Sequence, residues 1–379
     1  MVERELASEL SAIRALASRW LTVVADDPAV RAAGGDFVCS PAGLWLTLAV
    51  VAAGARADTA RELRELLGEA GPEAAVAATA TVRAIAQTAG LAATTSAWAR
   101  GPIYRAFRDG LPTVHFGHLD PDDPAALDAW VSRATQGMIT RLPDPPTDET
   151  HLLLVNSLAL RADWETPFRY VDTADLPFTD AHGTEHRVPT MARALPRPSH
   201  AWTVPARSGG AVEVVALRCA ARDGRERAQV SLLLGEPGRT AAEVLPAAWA
   251  PHELRRPVDA DQVTVAVPRL SLRTGLDPAR HLGALGAGQV LTEWADLSAM
   301  SPEPLRVGRI AHETWLRADE RGVTAAAVTE ALALPRSVAE SPPRIRHIAF
   351  DRPFGLVVFA GGSGVPLFTA WQASAPRAT

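Results

Sequence analysis

The hydrophobic positions of the chain change their spacing part-way along it. From residue 6 to residue 20, apolar side chains recur every three or four positions, which predicts an amphipathic first helix. Ser40 and Pro41 are typical of a helix start, because the hydroxyl caps open amides and proline lacks the amide that would be unpaired there. The helix that follows is apolar nearly all round, which indicates that it lies in the middle of the fold.

Two further helices and one buried strand are predicted in the next third of the chain. Thr59 and Glu62 have the spacing of a capping box at the start of a helix that ends at Gly68. Residues 125–139 carry apolar side chains on one side of a third helix. Residues 151–160 form a continuous apolar run with a single asparagine, which suits a strand covered on both faces.

Strand patterns dominate the remainder of the chain. Apolar runs separated by Gly, Pro and Asp turns predict strands at residues 212–217, 228–234, 262–273, 305–319, 355–360 and 366–372. Residues 281–286 are a short helical interruption. There is no repeat and no alternation of strand with helix, so the sequence predicts an α+β fold. With no Pro/Gly/Ser-rich boundary, we expect one domain over residues 1–379.

Composition narrows the classes of function. The net charge of −5 gives no electrostatic reason to expect a nucleic-acid partner. All 38 basic residues are arginine. The absence of lysine excludes a phosphate-binding loop of the GxxxxGK type, a kinase-type nucleotide lysine and a lysine Schiff base.

The cysteines and the N-terminal region bear on the compartment. Cys39 and Cys219 lie in apolar stretches and are well separated, which favours buried free thiols. The first residues carry charge where a signal peptide has an apolar run, so we expect the chain as written to be cytoplasmic, or extracellular if a leader has been removed. The longest uncharged run, residues 39–55, is too short to cross a bilayer, and no membrane partner is expected.

No catalytic or metal-binding constellation stands out. His182 and His186 flank a glycine in a strand turn, and neither this pair nor His115 with His118 implies a third ligand. Residues 361–364, GGSG, lack the second glycine of a nucleophile elbow and predict a hairpin turn. We therefore expect no metal, no cofactor and no enzymatic activity.

Five segments of the chain carry motifs in one order: residues 36–68, 130–168, 295–300, 311–330 and 350–354. Together these motifs resemble those of the serpins, the serine protease inhibitors. The resemblance implies about nine helices and three β-sheets, with a central five-stranded sheet that can accept an exposed loop as a sixth strand. Together with the lysine-free composition, which is typical of a GC-rich genome, it leads us to expect a bacterial member.

The resemblance also implies a mechanism and a position for the exposed loop, residues 320–347. A protease attacks the loop as a substrate, and the cut loop then inserts into the sheet and distorts the bound enzyme. The family counts sixteen residues from the hinge glutamate, here Glu320, to the residue before the cut bond, which is Arg336. Leu334, Pro335, Arg336 and Ser337 then suit a trypsin-like protease, possibly of the thrombin type, because arginine fits an S1 pocket with a buried aspartate. Arg344 and Arg346 are rival cleavage points.

Insertion requires a hinge of small residues. The implied hinge residues are Glu320, Gly322, Val323, Thr324, Ala325, Ala326, Ala327 and Thr329. Alternation places Val323 and Thr329 on one face, expected to be the core side, and Glu330 on the other. Val323 departs from the family's usual threonine or serine. A non-inhibitory serpin, acting as a binding or structural protein, is the alternative.

A polar cluster beneath the sheet is the last set of candidate residues. Ser40, Asn156 and His312 match the family's cluster at the point where the sheet parts, which we call the gate, and Trp164 matches its tryptophan under the top of the sheet. Asn156 is the single asparagine of the chain, and His312 on a neighbouring strand can supply its hydrogen-bond partner. The pair is expected to be either a satisfied polar pair of the core or a latch between strands that switches partner on insertion. Gly43 and Asp36 replace the family's serine and asparagine, which puts the bonding of the gate in doubt.

The expected partner is a trypsin-like serine protease in a covalent complex with a monomeric inhibitor. With no lysine and a net negative charge, an activating site of the heparin type has little support.

Overall fold

The computed structural model describes residues 2–120, 125–134, 137, 146–147, 150–206, 209–323 and 343–377. The α-helices are α1 (Val2–Val24), α2 (Pro28–Ala32), α3 (Pro41–Gly54), α4 (Ala57–Leu67), α5 (Pro72–Ile85), α6 (Arg105–Asp109), α7 (Ala125–Ala134), α8 (Ala241–Val244) and α9 (Leu282–Leu285). Short 3₁₀ turns include Tyr170–Asp172, Leu245–Trp249 and Pro278–His281.

The strands follow the same chain order. They are β1 (Phe37–Cys39), β2 (Leu91–Ala99), β3 (Val114–His118), β4 (Leu152–Leu160), β5 (Ala162–Asp163), β6 (Thr173–Thr179), β7 (Glu185–Ala194), β8 (Ala201–Pro205), β9 (Ala211–Arg218), β10 (Gln229–Leu234), β11 (Arg256–Pro257), β12 (Gln262–Pro268), β13 (Leu270–Leu276), β14 (Val307–Ala318), β15 (Gly322–Val323), β16 (Ile345–Ala349), β17 (Phe354–Phe359) and β18 (Pro366–Gln372).

The strands form three sheets, so the predicted mixed α+β fold with three sheets is confirmed. One sheet has the order β1-β18-β17-β10-β9-β8-β11, and a smaller one has the order β16-β12-β7-β6. The third, the central sheet, has the order β3-β2-β4-β14, with β13 on the far side of β14. These are its five longer strands, and the two-residue strands β15 and β5 join it beside β14.

Helix α3 begins and lies where the sequence predicts. Ser40 is its N-cap, with Oγ accepting a hydrogen bond from the amide of Gly43 at 3.0 Å, and Pro41 is its first residue. Every residue of α3 is buried. This position explains why the helix has no polar face: it packs against other helices, β18 and the central sheet.

The capping box predicted for α4 is wrong. The helix begins at Ala57, so Thr59 lies inside it, and Gly68 ends it in the left-handed conformation as predicted. Thr59 Oγ1 accepts instead from the amide of Asp296 at 3.0 Å, and Glu62 Oε2 accepts from the amide of Gln289 at 2.9 Å. Tertiary contacts therefore use both polar side chains that the local pattern assigned to a cap.

The third predicted helix is described to Ala134. Of the five residues that the prediction adds beyond it, only Gly137 is described, and it lies in a turn. The apolar side of α7 packs Leu127, Trp130 and Val131 onto one face of the central sheet. The opposite face joins the main core with α1 and α3. Strand β4 is buried at every position, as expected for a strand covered on both faces.

No helix among the described residues combines the length and the apolar character that crossing a bilayer requires. Both cysteines are buried and free, as predicted, and burial raises the pKa of each thiol to about 12.

Candidate functional site

The central sheet contains a seam between β4 and β14. The two strands pair in parallel from Val307 opposite Leu152 to His312 opposite Asn156, and this direct pairing ends at His312 and Asn156. Above them, β15 lies between β14 and β5, the short strand that follows β4 in the chain: Val323 pairs with Ala318 of β14 on one side and with Ala162 of β5 on the other. The seam is therefore closed at its lower end and occupied by a short strand at its top.

The two ends of the seam are in the same register. His312 and Ala318 are six residues apart along β14, and Asn156 of β4 and Ala162 of β5 are likewise six residues apart. The strands therefore run side by side without a slip, and a strand that continued antiparallel from Val323 would reach the gate in register. Val323 is 1% exposed and belongs to the main core, so its side chain points to the core side, as predicted.

The start of the hinge is held by a buried carboxylate. Glu320 is 1% exposed, and Oε1 accepts from Nη2 of Arg269 at 2.6 Å and from the hydroxyl of Thr173 at 2.6 Å. Arg269 Nε also donates to both carboxylate oxygens, at 2.9 and 3.1 Å. Burial raises the pKa of Glu320, but the bonds from Arg269 and Thr173 outweigh it and leave the pKa below its ordinary value. Glu320 is therefore ionised at neutral pH.

Trp164 lies at the top of the sheet, against the turn that precedes β15. Its indole Nε1 donates to the carbonyl of Asp319 at 2.8 Å, and its amide donates to the carbonyl of Arg321 at 2.7 Å. The amide of Phe168 donates to the carbonyl of Glu320 at 2.9 Å. These bonds, with the carboxylate pair, fix residues 319–321 as an anchor at the base of the loop.

At the gate, the side-chain hydrogen bonds run away from the seam. His312 Nε2 accepts from the amide of Ser40 at 2.9 Å, on the side of α3 and β1. Asn156 Nδ2 donates to Thr95 Oγ1 at 2.9 Å and to the carbonyl of Thr94 at 3.4 Å, both on β2. The expectation that His312 is the partner of Asn156 is therefore wrong: the two residues are neighbours in the ladder, but their side chains bond in opposite directions.

The gate is also uncharged. His312 is 2% exposed, and burial, followed by the nearby His281, lowers the pKa of His312 to about 4. Because Nε2 accepts the Ser40 amide, the ring proton of neutral His312 is on Nδ1. Asn156 Oδ1 is buried and has no hydrogen-bond partner among the described residues.

Other sequence candidates lie elsewhere. His182 and His186 belong to the hairpin between β6 and β7, where His186 pairs with Asp180 at 2.8 Å. No group of three or more His, Cys, Asp or Glu side chains within the described part of the chain has the arrangement of a metal site. Gly361–Gly364 is the predicted turn, between β17 and β18.

The proposed scissile region and most of the hinge lie outside the described residues. These are Thr324, Ala325, Ala326, Ala327, Thr329, Leu334, Pro335, Arg336 and Ser337. The segment expected to be exposed, 320–347, is part of the fold at both described ends. Gly322 and Val323 lie in β15 of the central sheet, Glu320 is held by Arg269 and Thr173, and residues 345–347 pair with β12 in β16.

The family model described as Serpin (serine protease inhibitor) matches residues 24–371. This chain belongs to the serpin family.

Curated relatives and solved structures agree with this assignment. Alpha-1-antiproteinase S of Cavia porcellus is 28% identical over 256 residues, which cover 64% of this serpin and 56% of the relative. The match thus spans little more than half the length of that relative.

Two solved structures share the fold. Serpin48 of Tenebrio molitor has a TM-score of 0.77 at 21% identity, covering 96% of this chain and 97% of the other. Human thyroxine-binding globulin, complexed with thyroxine, has a TM-score of 0.77 at 19% identity, covering 99% and 100%.

The two departures from the family pattern have different consequences in this serpin. Asp36 does not bond within the gate: its carboxylate accepts from the amides of Ala373 and Ser374, at 2.6 and 2.8 Å, and holds the C-terminal segment against β1. Gly43 does touch the gate. A Cβ at this position would lie 2.3 Å from Asn156 Oδ1. Glycine therefore lets the Asn156 side chain occupy the space beside α3.

Sequence reasoning missed the partners that complete the site. Arg269 and Thr173, which hold Glu320, and Thr95, which holds Asn156, are remote along the chain from the residues they bind. No local pattern marks them. A sheet register, had it been predicted, would have placed Thr95 beside Asn156, because the two are directly paired.

Proposed function

We propose that this serpin is a suicide-substrate inhibitor of a trypsin-like serine protease, cleaved between Arg336 and Ser337. The observation that carries the proposal is the position of β15. Gly322 and Val323 already lie in the seam, antiparallel to both neighbouring strands, which is the direction in which a cut loop would continue. The target, the cleavage and the insertion are our inferences.

The loop sequence supports insertion. Residues 324–329, TAAAVT, are small or strand-favouring, and the first carboxylate after Glu320, Glu330, would point away from the core side by alternation. Insertion of residues 323–335 would span ~43 Å at ~3.3 Å per residue. At ~1 kcal/mol per new ladder bond, the gain is on the order of 10 kcal/mol, comparable with the stability of a whole domain.

The hydrogen bonds of the gate residues support the proposal that β4 and β14 can separate without losing a side-chain hydrogen bond. Asn156 is bonded to β2 and His312 to the N-terminus of α3, so separation of β4 from β14 breaks backbone ladder bonds but neither side-chain bond. We infer that β2 and β4 move together while β14 stays with the core.

The rival arginines are held in the fold, which favours Arg336 as the cleavage point. The carbonyl of Arg344 accepts from the amides of Asp261 and Gln262, and its side chain pairs with Asp259 at 2.9 Å. Arg346 is part of β16, and its side chain pairs with Glu213 at 2.5 Å. A protease binds its substrate as a free extended segment, so cleavage at either residue first requires local unfolding.

Incubation with trypsin and with thrombin tests the proposal. We expect a complex that survives SDS and contains one protease per inhibitor, together with cleavage after Arg336. Arg336→Ala should abolish the complex, whereas the matched variant Arg346→Ala should retain it. Ala325→Arg, which puts charge and bulk into the hinge, should convert trapping into plain cleavage, because the inserted strand could no longer pack.

The same incubation distinguishes the proposed inhibitor from the alternative, a non-inhibitory serpin. Cleavage at Arg336 with no complex, and with no gain in heat resistance, would indicate a non-inhibitory serpin that acts as a binding or structural protein. Complex formation that persists in Arg336→Ala would place the scissile bond elsewhere in the loop.

A further inference from the structure

A buried hydrogen-bonded trio lies next to the gate. His281, at the end of the 3₁₀ turn Pro278–His281, accepts at Nδ1 from the indole Nε1–H of Trp20 at 2.9 Å. Its Nε2 lies 3.0 Å from Asp27 Oδ2. All three side chains are less than 10% exposed, and Asp27 Oδ1 also caps α2 through the amide of Ala29 at 2.8 Å. The trio thus joins α1, α2 and the segment that leads towards β14.

These bonds define the protonation state of His281. The indole is a donor only, so Nδ1 of His281 must be the acceptor and cannot carry a proton. Nε2 therefore carries the ring proton and donates it to the Asp27 carboxylate. The histidine is neutral in this arrangement, and a second proton on Nδ1 would set one N–H donor against another.

Trp20 connects the trio to the gate. Its ring is 1% exposed and meets the ring of His312 edge to face, with centroids 5.3 Å apart. His312 in turn accepts the amide of Ser40. A displacement of Trp20 would therefore remove packing from the residue at which the pairing of β4 and β14 ends.

The other ionisable groups on the elements packed against His281 are engaged with other partners or are exposed. Arg19 of α1 donates to the carbonyl of Leu285, and Asp277 Oδ1 accepts from the amides of Ala279 and Ile310. Glu313 of β14 lies 3.8 Å from Arg273, and Asp26 pairs with Arg31 at the surface. Arg14 of α1 donates to the carbonyl of Gly364, Glu9 of α1 accepts from the hydroxyl of Ser8, and Arg317 of β14 pairs with Asp319. His312, the titratable gate residue on β14, accepts the Ser40 amide. Arg280 is exposed, and Arg309 lies on β14.

We propose that Asp27, His281 and Trp20 form a proton-controlled support for the gate. Neutral His281 holds Trp20 against His312 and so stabilises the closed seam. Protonated His281 remains with the Asp27 carboxylate and releases Trp20, which loosens the packing around His312. Mild acid therefore accelerates the parting of β4 and β14. This consequence for the sheet rests on the proposed inhibitory function, whereas the titration of the trio does not.

The first test follows the trio itself. In protein labelled with ¹⁵N-tryptophan, the Trp20 indole signal is assigned by its loss in Trp20→Phe. We expect this signal to shift on acidification from pH 7.5 to pH 5.5, because a proton on Nδ1 of His281 removes the acceptor of the indole N–H. The shift should be absent in His281→Asn and altered in Asp27→Asn. A Trp20 signal that does not move over this range, or that moves equally in His281→Asn, overturns the proposal.

The second test follows the seam. A synthetic peptide with the sequence of residues 324–336, TAAAVTEALALPR, is offered to the intact protein, and its incorporation is followed on native gels. Loss of one neutral hydrogen bond corresponds to about a fivefold change in rate, so we expect incorporation about fivefold faster at pH 5.5 than at pH 7.5. In His281→Asn the acceleration should be smaller than in the wild type, because His312 is then the remaining gate group that responds to acid.

His186→Asn is the matched control, because His186 also pairs with an aspartate, Asp180, but near the surface. It should retain the pH dependence of the wild type. A pH dependence as large in His281→Asn as in the wild type would overturn the role of the trio at the gate. If no peptide enters at any pH, the proposed insertion fails, while the indole titration still decides whether the trio responds to protons.

Discussion

The two ends of the seam are held by opposite kinds of interaction. At the top, Glu320 is ionised and paired with Arg269 inside the fold, with Thr173 as a further donor. At the gate, His312 and Asn156 are neutral, and their side chains bond away from each other. In the proposed mechanism, the top is the point from which the inserting loop would pivot, and the gate is the point that would open. Strong, convergent bonds lie where the chain would stay in place, and bonds that do not cross the seam lie where the strands would part.

Removal of the charge at the pivot is expected to have the largest effect. In Glu320→Gln the Arg269 guanidinium, which is 29% exposed, loses a carboxylate partner that is buried. Breaking a buried ion pair typically costs about 3–5 kcal/mol, and solvation of the partly exposed guanidinium puts this variant at the lower end of that range. Urea unfolding at pH 7.5 measures the loss. The matched variant is Glu236→Gln, since Glu236 pairs with Arg239 at 3.4 Å but is half-exposed, and this variant should lose less than ~1 kcal/mol. Equal losses in the two variants would contradict a special role for the buried carboxylate.

The neutral gate is expected to respond to acid. The pKa of His312 is lowered to about 4 in the folded protein, so between that value and the ordinary 6.5 the unfolded chain binds more protons than the folded one. Stability that is present above pH 6.5 should therefore fall as the pH drops towards 4, by up to ~3 kcal/mol at 1.36 kcal/mol per pKa unit.

Unfolding of the wild type and of His312→Gln, compared at pH 7.5 and pH 4.5, isolates this contribution from that of the carboxylates. The variant should lose less stability on acidification. His252→Gln, at an exposed position, should behave like the wild type. A loss in His312→Gln as large as in the wild type would show that the gate histidine is not buried in its neutral form.

Part of this candidate site can be predicted from the sequence. Ser40, Asn156 and His312 were found because each lies in a segment that resembles the family. The start of α3 at Pro41 was found because its cap is local. The partners Arg269, Thr173 and Thr95 were not predicted, because the fold brings them to the site from distant parts of the chain: Thr95 through strand pairing, and Arg269 and Thr173 through side-chain bonds to Glu320.

Local patterns fail where tertiary contacts compete for the same side chain. Thr59 and Glu62 have the spacing of a cap, yet each accepts an amide from the segment around residues 289–296. The expected bond between Asn156 and His312 was wrong for a related reason. Adjacent positions in a ladder put two side chains near each other, but the surrounding donors decide which way each one bonds.

Substitution of Gly43 tests the contrast between the top of the seam and the gate with the smallest expected effect. Gly43 is the position where the gate could gain a hydrogen bond on the core side. A Cβ would lie 2.3 Å from Asn156 Oδ1 and 3.0 Å from Ser40 Oγ, so Gly43→Ala forces a shift that typically costs about 1–3 kcal/mol. Gly43→Ser introduces the same Cβ together with a hydroxyl beside Asn156 Oδ1, which has no partner among the described residues. A new hydrogen bond would return ~1 kcal/mol.

Urea unfolding should therefore rank Gly43→Ser above Gly43→Ala and both below the wild type. Gly283→Ala, where a Cβ meets no atom within 4 Å, should be close to neutral. Serine would also tie β4 to α3, the element to which His312 is already bonded through Ser40. Both sides of the seam would then be fastened to the core, and the complex with a protease should form more slowly than in the wild type. If serine is no more stable than alanine and leaves that rate unchanged, the gate does not open by moving β4 away from α3.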